Sequence, residues 1–233
     1  MKIAIVDDKE CWREKAQEIV KNYYAHTDVE IDIYENGENY LNSEKKYDIS
    51  LIDIIMPVME GFDVITLAKK KNPKGIYIIM TTKKESYRKG FLVNAYRYMD
   101  KDNIKEELWE ALTSIDILKE RNEKIELNII GEGKREFILK NISFVETEKR
   151  SVIIHTRDGQ KRCNNTMTDM EELLNRSFFF RCHNAYIVNL DEIERVDNYN
   201  IYMYGGEKIF VSARKMSDFN KAYLNRQYEC ANA

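Results

Sequence analysis

Apolar and polar positions follow one rhythm through about residue 118 and another beyond it. Ile3 to Val6 is a short apolar run, after which Trp12, Ala16, Ile19, Val20 and Tyr23 recur at helical spacing. Val29 to Tyr34 alternates as a strand, Asn36-Gly37 is a turn signal, and a short helix is expected around Asn39 to Ser43. Ile49 to Ile55, broken by Ser50 and Asp53, reads as a strand buried on both faces. Met56-Pro57 ends it, because proline has no N–H for the ladder, and Gly61 permits the turn into a helix carrying Phe62, Ile65, Leu67 and Ala68. Ile76 to Met80 is a fourth buried run. A less regular helix through Tyr87, Phe91 and Ala95 then leads to a short strand at Tyr96 to Met99. Ile104, Leu108, Ala111, Leu112, Ile115 and Leu118 line one face of a further helix. Five strands alternating with five helices predict an α/β unit, a (βα)5 doubly wound parallel sheet.

The second rhythm is that of short strands. Ile125 to Ile130, Phe137 to Leu139, Ile142 to Glu146 and Val152 to His155 are strand-like, with Asp158-Gly159 a hairpin signal. Thr168 to Glu171 reads as a capping box opening a brief helix through Leu174, and Phe178 to Phe180 as core. Tyr186 to Leu190, Ile193 to Val196, Ile201 to Tyr204 and Lys208 to Val211 follow. Met216, Phe219, Tyr223 and Leu224 then mark a last helix. The charged run Lys119 to Lys124 has no glycine or proline and is expected to continue the preceding helix as a stiff connector. The predicted division is 1–120, a linker at 121–124, a mostly β module at 125–228 and a tail at 229–233.

Composition narrows the class. Of 233 residues 43% are hydrophobic and 33% charged, enough for ordinary cores, and the net charge of −3 gives no global pull toward nucleic acid. Residues 1–123 carry 20 basic and 24 acidic side chains and residues 124–233 carry 17 and 16, so any basic surface is local. The N-terminus turns acidic too soon for a signal peptide and no stretch approaches membrane-spanning length. Cys11, Cys163, Cys182 and Cys230 are scattered without a CxxC, which suggests neither zinc nor a disulfide framework. A cytoplasmic protein with no membrane insertion is expected.

The candidate chemistry falls at the ends of strands. Asp7-Asp8, Asp53, Thr81 and Lys101 each follow a predicted strand, and on this topology they should converge on one crevice. Three carboxylates within roughly 4 Å repel by several kcal/mol per pair even at an effective dielectric of about 20. They must be protonated or hold a cation, and oxygen ligands with room for water and phosphate suit Mg²⁺. Lys101 adds a point charge for a phosphoryl oxygen and the Thr81 hydroxyl can donate to another. Phosphoryl transfer to Asp53 is the chemistry that fits.

Residues 1 to about 120 resemble the receiver domain of bacterial two-component response regulators. Asp7-Asp8, Asp53 with Met56-Pro57 and Gly61, Thr81, Tyr98 and Lys101 occur in order and at family spacing. The resemblance implies that Asp53 accepts phosphate from a sensor histidine kinase. It also implies Mg²⁺ held by Asp8, Asp53 and the Ile55 carbonyl, with Asp7 acting mostly through water. It casts Thr81 and Tyr98 as the switch pair and implies homodimerisation through the face formed by residues of about 84–120. Asp102 stands where family members have proline after the lysine, and Thr82 where they have a small residue.

In the second half, His155 and His183 have no partner pattern for metal or nucleophilic catalysis. His155 reads as a satisfied sheet histidine and Cys182 as structural. Basic and amide side chains collect in expected connections: Lys149-Arg150-Ser151, Lys161-Arg162, Arg181 with His183-Asn184, and Arg214-Lys215. The stretch from Phe180 to Leu190, followed by Val211-Ser212-Ala213-Arg214, resembles the LytTR DNA-binding domain over about 125–228. That family implies loops, rather than a recognition helix, in successive major grooves of double-stranded DNA. On this sequence Asn184 and Arg214 are the expected base contacts, with the Lys149-Arg150-Ser151 turn a third. Lys161, Arg162, Arg181, His183 and Lys215 are expected to contact phosphate or position the others. The expected function is a phosphorylation-controlled, non-enzymatic transcription regulator reading paired promoter repeats, with RNA polymerase a further partner. The alternatives are a protein-interaction output and a Mg²⁺-dependent phosphohydrolase using Asp53.

Overall fold

The computed structural model describes residues 1–82, 93–149 and 151–231, and the chain forms two compact units, Met1–Thr113 and Ser114–Ala233. In the first, β1 (Lys2–Val6), β2 (Glu30–Tyr34), β3 (Ile49–Asp53), β4 (Ile76–Thr81) and β5 (Arg97–Asp100) form one sheet in the order β2-β1-β3-β4-β5, every pairing parallel. The central strands are buried on both faces, which is why they read as unbroken apolar runs. Helices α1 (Glu10–Tyr23), α2 (Gly37–Asn42), α3 (Gly61–Lys71) and α4 (Ile104–Asn122) complete the described part of this fold, and α4 continues from the first unit into the second. The strand order reverses between β1 and β3, so Asp7-Asp8 and Asp53 emerge side by side at the switch point.

Several expected positions shift by local physics. Leu67 and Leu118 are exposed by 39% and 42%, and Val64, not Leu67, completes the buried stripe of α3. The helix expected through Tyr87 and Phe91 lies outside the described residues. Gly61 earns its place by close approach, not by an unusual φ. A Cβ there would lie inside contact distance of the Asp53 carbonyl oxygen and 2.9 Å from Ile54 Cα. The Gly61 N–H meanwhile donates to the Ile54 carbonyl at 2.9 Å, closing the loop onto the end of β3.

The second unit has a seven-stranded antiparallel sheet and a three-stranded one. The larger runs β11-β12-β8-β9-β10-β6-β7, from β6 (Lys124–Ile129), β7 (Gly133–Ile138), β8 (Ile142–Glu148), β9 (Ser151–Thr156), β10 (Gly159–Cys163), β11 (Phe179–His183) and β12 (Tyr186–Asn189). The smaller joins β13 (Ile193–Asp197), β14 (Asn200–Met203) and β15 (Lys208–Phe210). Helix α5 (Met167–Leu173) starts two residues earlier than expected. Thr166 is the N-cap, with Asp169 returning the bond to its N–H, so the capping box is Thr166–Asp169 and not one begun by Thr168. Lys161 and Arg162 belong to β10, not to a connection. That strand carries no apolar alternation, because its only buried side chain is Cys163. The final helix, α6 (Met216–Ala231), buries Phe219 but leaves Leu224 64% exposed.

Candidate functional site

The acids expected to converge do so. One carboxylate oxygen from each of Asp7, Asp8 and Asp53 lies within 4.8 Å of the others. Lys101 Nζ sits 2.5 Å from Asp7 Oδ2 and 2.9 Å from Asp53 Oδ2, and all three side chains are almost wholly buried. Three carboxylates and one ammonium leave two negative charges unbalanced, the charge of one divalent cation. Asp8 Oδ1 is buried with no hydrogen-bond partner among the described residues, a costly state for a carboxylate oxygen that a metal ligand avoids. The donor set is all oxygen, which fits Mg²⁺ and not a softer ion.

Each side chain is held by its neighbours. Asp7 Oδ1 accepts from the Lys9 N–H at 3.0 Å, and the Asp7 carbonyl accepts from Arg13 Nη1 at 2.9 Å. The Ile54 N–H donates to Asp53 Oδ1 at 2.8 Å, and Ile55, 43% exposed, continues the chain over the site. Burial pushes the Asp53 carboxyl above its ordinary pKa, and nearby Asp7 adds to this. Lys101 and the backbone bond from Ile55 act in the opposite sense. Thr81 ends β4, fully buried, one residue past the Met80 that pairs with Asp53. Tyr98 pairs with Ile79 and packs, half-buried, against the core on that side of the sheet.

The residue in the proline position has a structural part. Asp100 Oδ1 accepts from the Asp102 N–H at 3.0 Å and caps a 3₁₀ turn, Lys101–Asn103, while the Asp100 N–H donates to Glu107 at 2.9 Å. Proline at 102 would lack the N–H that this cap uses. Nothing in the sequence signalled that Lys101 Nζ also lies 5.6 Å from the Trp12 ring centroid, with Lys15 Nζ at 5.0 Å.

Gly61→Ala tests how far this arrangement depends on the loop. The new methyl would meet backbone atoms that cannot swing away, so a loss of about 3 kcal/mol in unfolding free energy is expected by denaturant titration.

In the second unit, backbone bonds gather three segments at one end. The β11–β12 turn carries Asn184, and the Thr147 N–H donates to Ala185 O at 3.0 Å beside the β8–β9 turn. The Ser212 N–H donates to Cys182 O at 3.0 Å, which brings Arg214 and Lys215 alongside β11. Asn184, Lys149, Arg214 and Lys215 are all exposed. Lys149 occupies the left-handed region at φ 57° and Ser151 Oγ donates to Glu148 O at 3.2 Å; Arg150 lies outside the described residues.

Other basic candidates are engaged within the fold. Arg181 pairs with Glu171 at 2.6 Å and donates to Asn184 O at 3.1 Å, which makes it a brace for the turn. Lys161 pairs with Glu132 at 2.5 Å and Arg162 with Glu148. His183 Nδ1 accepts from the Ala185 N–H at 3.2 Å. His155 stacks on Phe144 with centroids 3.9 Å apart and its Nε2 lies 2.8 Å from Glu146, as expected of a satisfied sheet histidine. Cys182 is fully buried and burial pushes its thiol up to about 12, so it is inert at neutral pH.

Residues 3–113 match the response regulator receiver domain family and residues 134–224 the LytTr DNA-binding domain family. The chain is 27% identical to the sensory transduction protein LytT of Bacillus subtilis, over 95% of this chain and 98% of that one. It is 29% identical to accessory gene regulator protein A of Staphylococcus epidermidis, over 93% and 99%. Among solved structures, the response regulator TrrA of Thermotoga maritima in complex with Mg²⁺-BeF is 28% identical, covering 49% of this chain and 97% of that one, with a TM-score of 0.44. Both alignments, to LytT and to the accessory gene regulator protein, run over nearly the full length of the two partners and so span both matched domains of this chain. The chain therefore belongs to the response regulators that join a receiver domain to a LytTR DNA-binding output domain.

Proposed function

We propose that Asp53 accepts a phosphoryl group from a sensor histidine kinase and that the altered receiver pairs two LytTR domains on repeated promoter sites. The observation that carries this reading is the buried Asp53 carboxylate, with Lys101 Nζ at 2.9 Å and the unpartnered Asp8 Oδ1 in the same cluster. When bound by Asp8, Asp53 and the Ile55 carbonyl, with Asp7 reached through water, Mg²⁺ supplies the charge neutralisation that phosphoryl transfer requires. An oxygen of Asp53 attacks phosphorus in line as the phosphorus–nitrogen bond to the kinase imidazole breaks. Lys101 then holds one phosphoryl oxygen and the Thr81 hydroxyl donates to another.

Two or three such charge-assisted bonds, at roughly 1.5–3 kcal/mol each, reach the ~5.5 kcal/mol that moves a two-state population from 1:99 to 99:1. Tyr98, half-buried on the strand beside Thr81, packs inward as Thr81 moves, and the face of residues of about 84–120, of which 84–92 lie outside the described residues, dimerises. Acetyl phosphate with Mg²⁺ should therefore double the sedimenting mass, and an unchanged mass would refute the dimer step.

Trp12 offers a direct readout of the metal. Titrating Mg²⁺ into metal-free protein should change its emission saturably as Lys101 gives up part of its hold on the acids. The change should survive Trp109→Phe and disappear in Asp8→Asn.

On the output side, Asn184 and Arg214 read base edges, asparagine suiting adenine and arginine guanine, each worth roughly 1–3 kcal/mol of discrimination. Arg214→Ala should relax the preference at one base position. Lys215→Ala should instead weaken every sequence alike and lower the salt slope by about 0.9. Binding of selected and mixed duplexes across a salt series separates the two, and identical behaviour would remove the distinction.

A further inference from the structure

Strands β14 and β15 alternate, and a bulge between Ile193 and Arg195 turns those two side chains of β13 to opposite faces. Ile193, Ile201, Met203 and Ile209 are buried on one face, and Arg195, Tyr202, Lys208 and Phe210 lie on the other. The register places Arg195 opposite Tyr202 and Tyr202 opposite Lys208, a line across all three strands. The Arg195 guanidinium carbon is 3.5 Å from the Tyr202 ring centroid, and Lys208 Nζ is 5.7 Å from the same ring. Neither cation has an acidic partner among the described residues, whereas Arg157, Lys161, Arg162, Arg176, Arg181 and Arg226 each do. Phe210, 51% exposed, stacks on Tyr199 at 6.0 Å and meets His183 edge-on at 6.4 Å. The Val211 N–H donates to Tyr199 O at 2.8 Å and the next N–H, of Ser212, to Cys182 O. The face is thus continuous, through His183 and Ser212, with the loops that carry Asn184 and Arg214.

We propose that this face is a second DNA contact, a backbone platform on which Arg195 and Lys208 hold phosphates flanking the bases read by the loops. It rests on the DNA-binding reading above and adds to it a surface that the loops do not include. Stacking on Tyr202 fixes the guanidinium plane, so its N–H groups meet phosphate oxygens with little further ordering. Neither cation is ion-paired among the described residues, and both lie on the surface that leads into the loops, where a polyanion would lie if those loops enter a groove. The exposed rings of Phe210 and Tyr199 supply flat apolar area against deoxyribose. A contact of this kind adds affinity and salt dependence but no sequence preference.

The test uses full-length protein and a mixed-sequence duplex of about 30 base pairs, with affinity measured across a salt series. Arg195→Gln with Lys208→Gln should lower the slope of log affinity against log salt by about 1.8, and Lys208→Gln alone by about 0.9. Both positions are exposed, and the single variant decides the matter if the double one melts early. Tyr202→Leu keeps both charges and should weaken binding several-fold with a nearly unchanged slope. An unchanged slope in the glutamine variants, with wild-type binding intact, overturns the platform alone and leaves the face to an acidic protein surface. Wild-type protein with no salt-dependent DNA binding overturns the DNA reading and the platform together.

Discussion

Asp53→Asn protein should form no base-labile adduct when given acetyl phosphate and Mg²⁺, whereas the unaltered chain should gain one phosphoryl group at that residue. The amide is nearly the same size as the carboxylate it replaces, and Ile54 can still donate to its oxygen, so the loop and Lys101 keep their places. What is lost is the nucleophile. Intact mass spectrometry reads the outcome, and an adduct of equal yield on the variant would place the chemistry elsewhere. Stoichiometric labelling without turnover of small phosphorylated metabolites would also set the receiver reading apart from a phosphohydrolase. The same variant reports on electrostatics. Burial raises the Asp53 pKa in the folded state, so its contribution to stability is fully present below the unfolded value and is lost as pH rises through the folded one. In metal-free buffer Asp53→Asn should therefore melt above the unaltered protein at pH 7.5, and the gap should close as the buffer is made acidic.

Arg226→Met should cost about 3 kcal/mol in the second unit, enough to lower its melting transition by roughly 10 °C. Arg226 is 2% exposed and grips Asp191 with two bonds, Nε to Oδ1 at 2.7 Å and Nη2 to Oδ2 at 2.8 Å, while Nη1 reaches Glu229 at 3.1 Å. Methionine fills much of the space of the arginine stem but leaves the Asp191 carboxylate, 8% exposed, with the weak Cys230 thiol donor at 3.7 Å and, among the described residues, one charged partner, the Arg121 guanidinium at 3.3 Å. That remaining partner holds the expected loss to the lower end of the 3–5 kcal/mol typical of a broken buried pair. Asp191→Asn in the Arg226→Met background should restore part of it, because an amide is far cheaper to bury unpaired than a charge. Calorimetry that resolves two transitions should show the first unit unmoved.

The first unit was legible because its strands are buried on both faces. Ile3 to Val6, Ile49 to Asp53 and Ile76 to Thr81 stand out as apolar runs, and each candidate acid or hydroxyl ends or follows one of them. The acid cluster could be anticipated from topology alone, since parallel strands deliver their C-terminal residues to one edge. Other features depend on contacts between residues far apart in sequence. The pairing of Lys161 with Glu132 spans 29 positions, and no local pattern marks it. Strand β10 shows one buried side chain in five and imitates a loop. Thr166 and Thr168 are equally good caps by composition, and the extended backbone of residue 166 with its reciprocal bonds to Asp169 chooses between them. The Arg195–Tyr202–Lys208 line is visible only once the register of three strands is known.

Most arginines and lysines of the β module that neighbour acids are already held by them, from Lys124 with Glu136 to Arg176 with Glu123. Such a surface meets arbitrary duplex with a handful of open ammonium and guanidinium groups. Few counterions are displaced at any one encounter, so residence on unrelated sequence is brief at cellular ionic strength. On the proposed reading, in which two LytTR domains pair on repeated sites, searching a genome is then quick and lasting occupancy would fall to places where two copies land side by side.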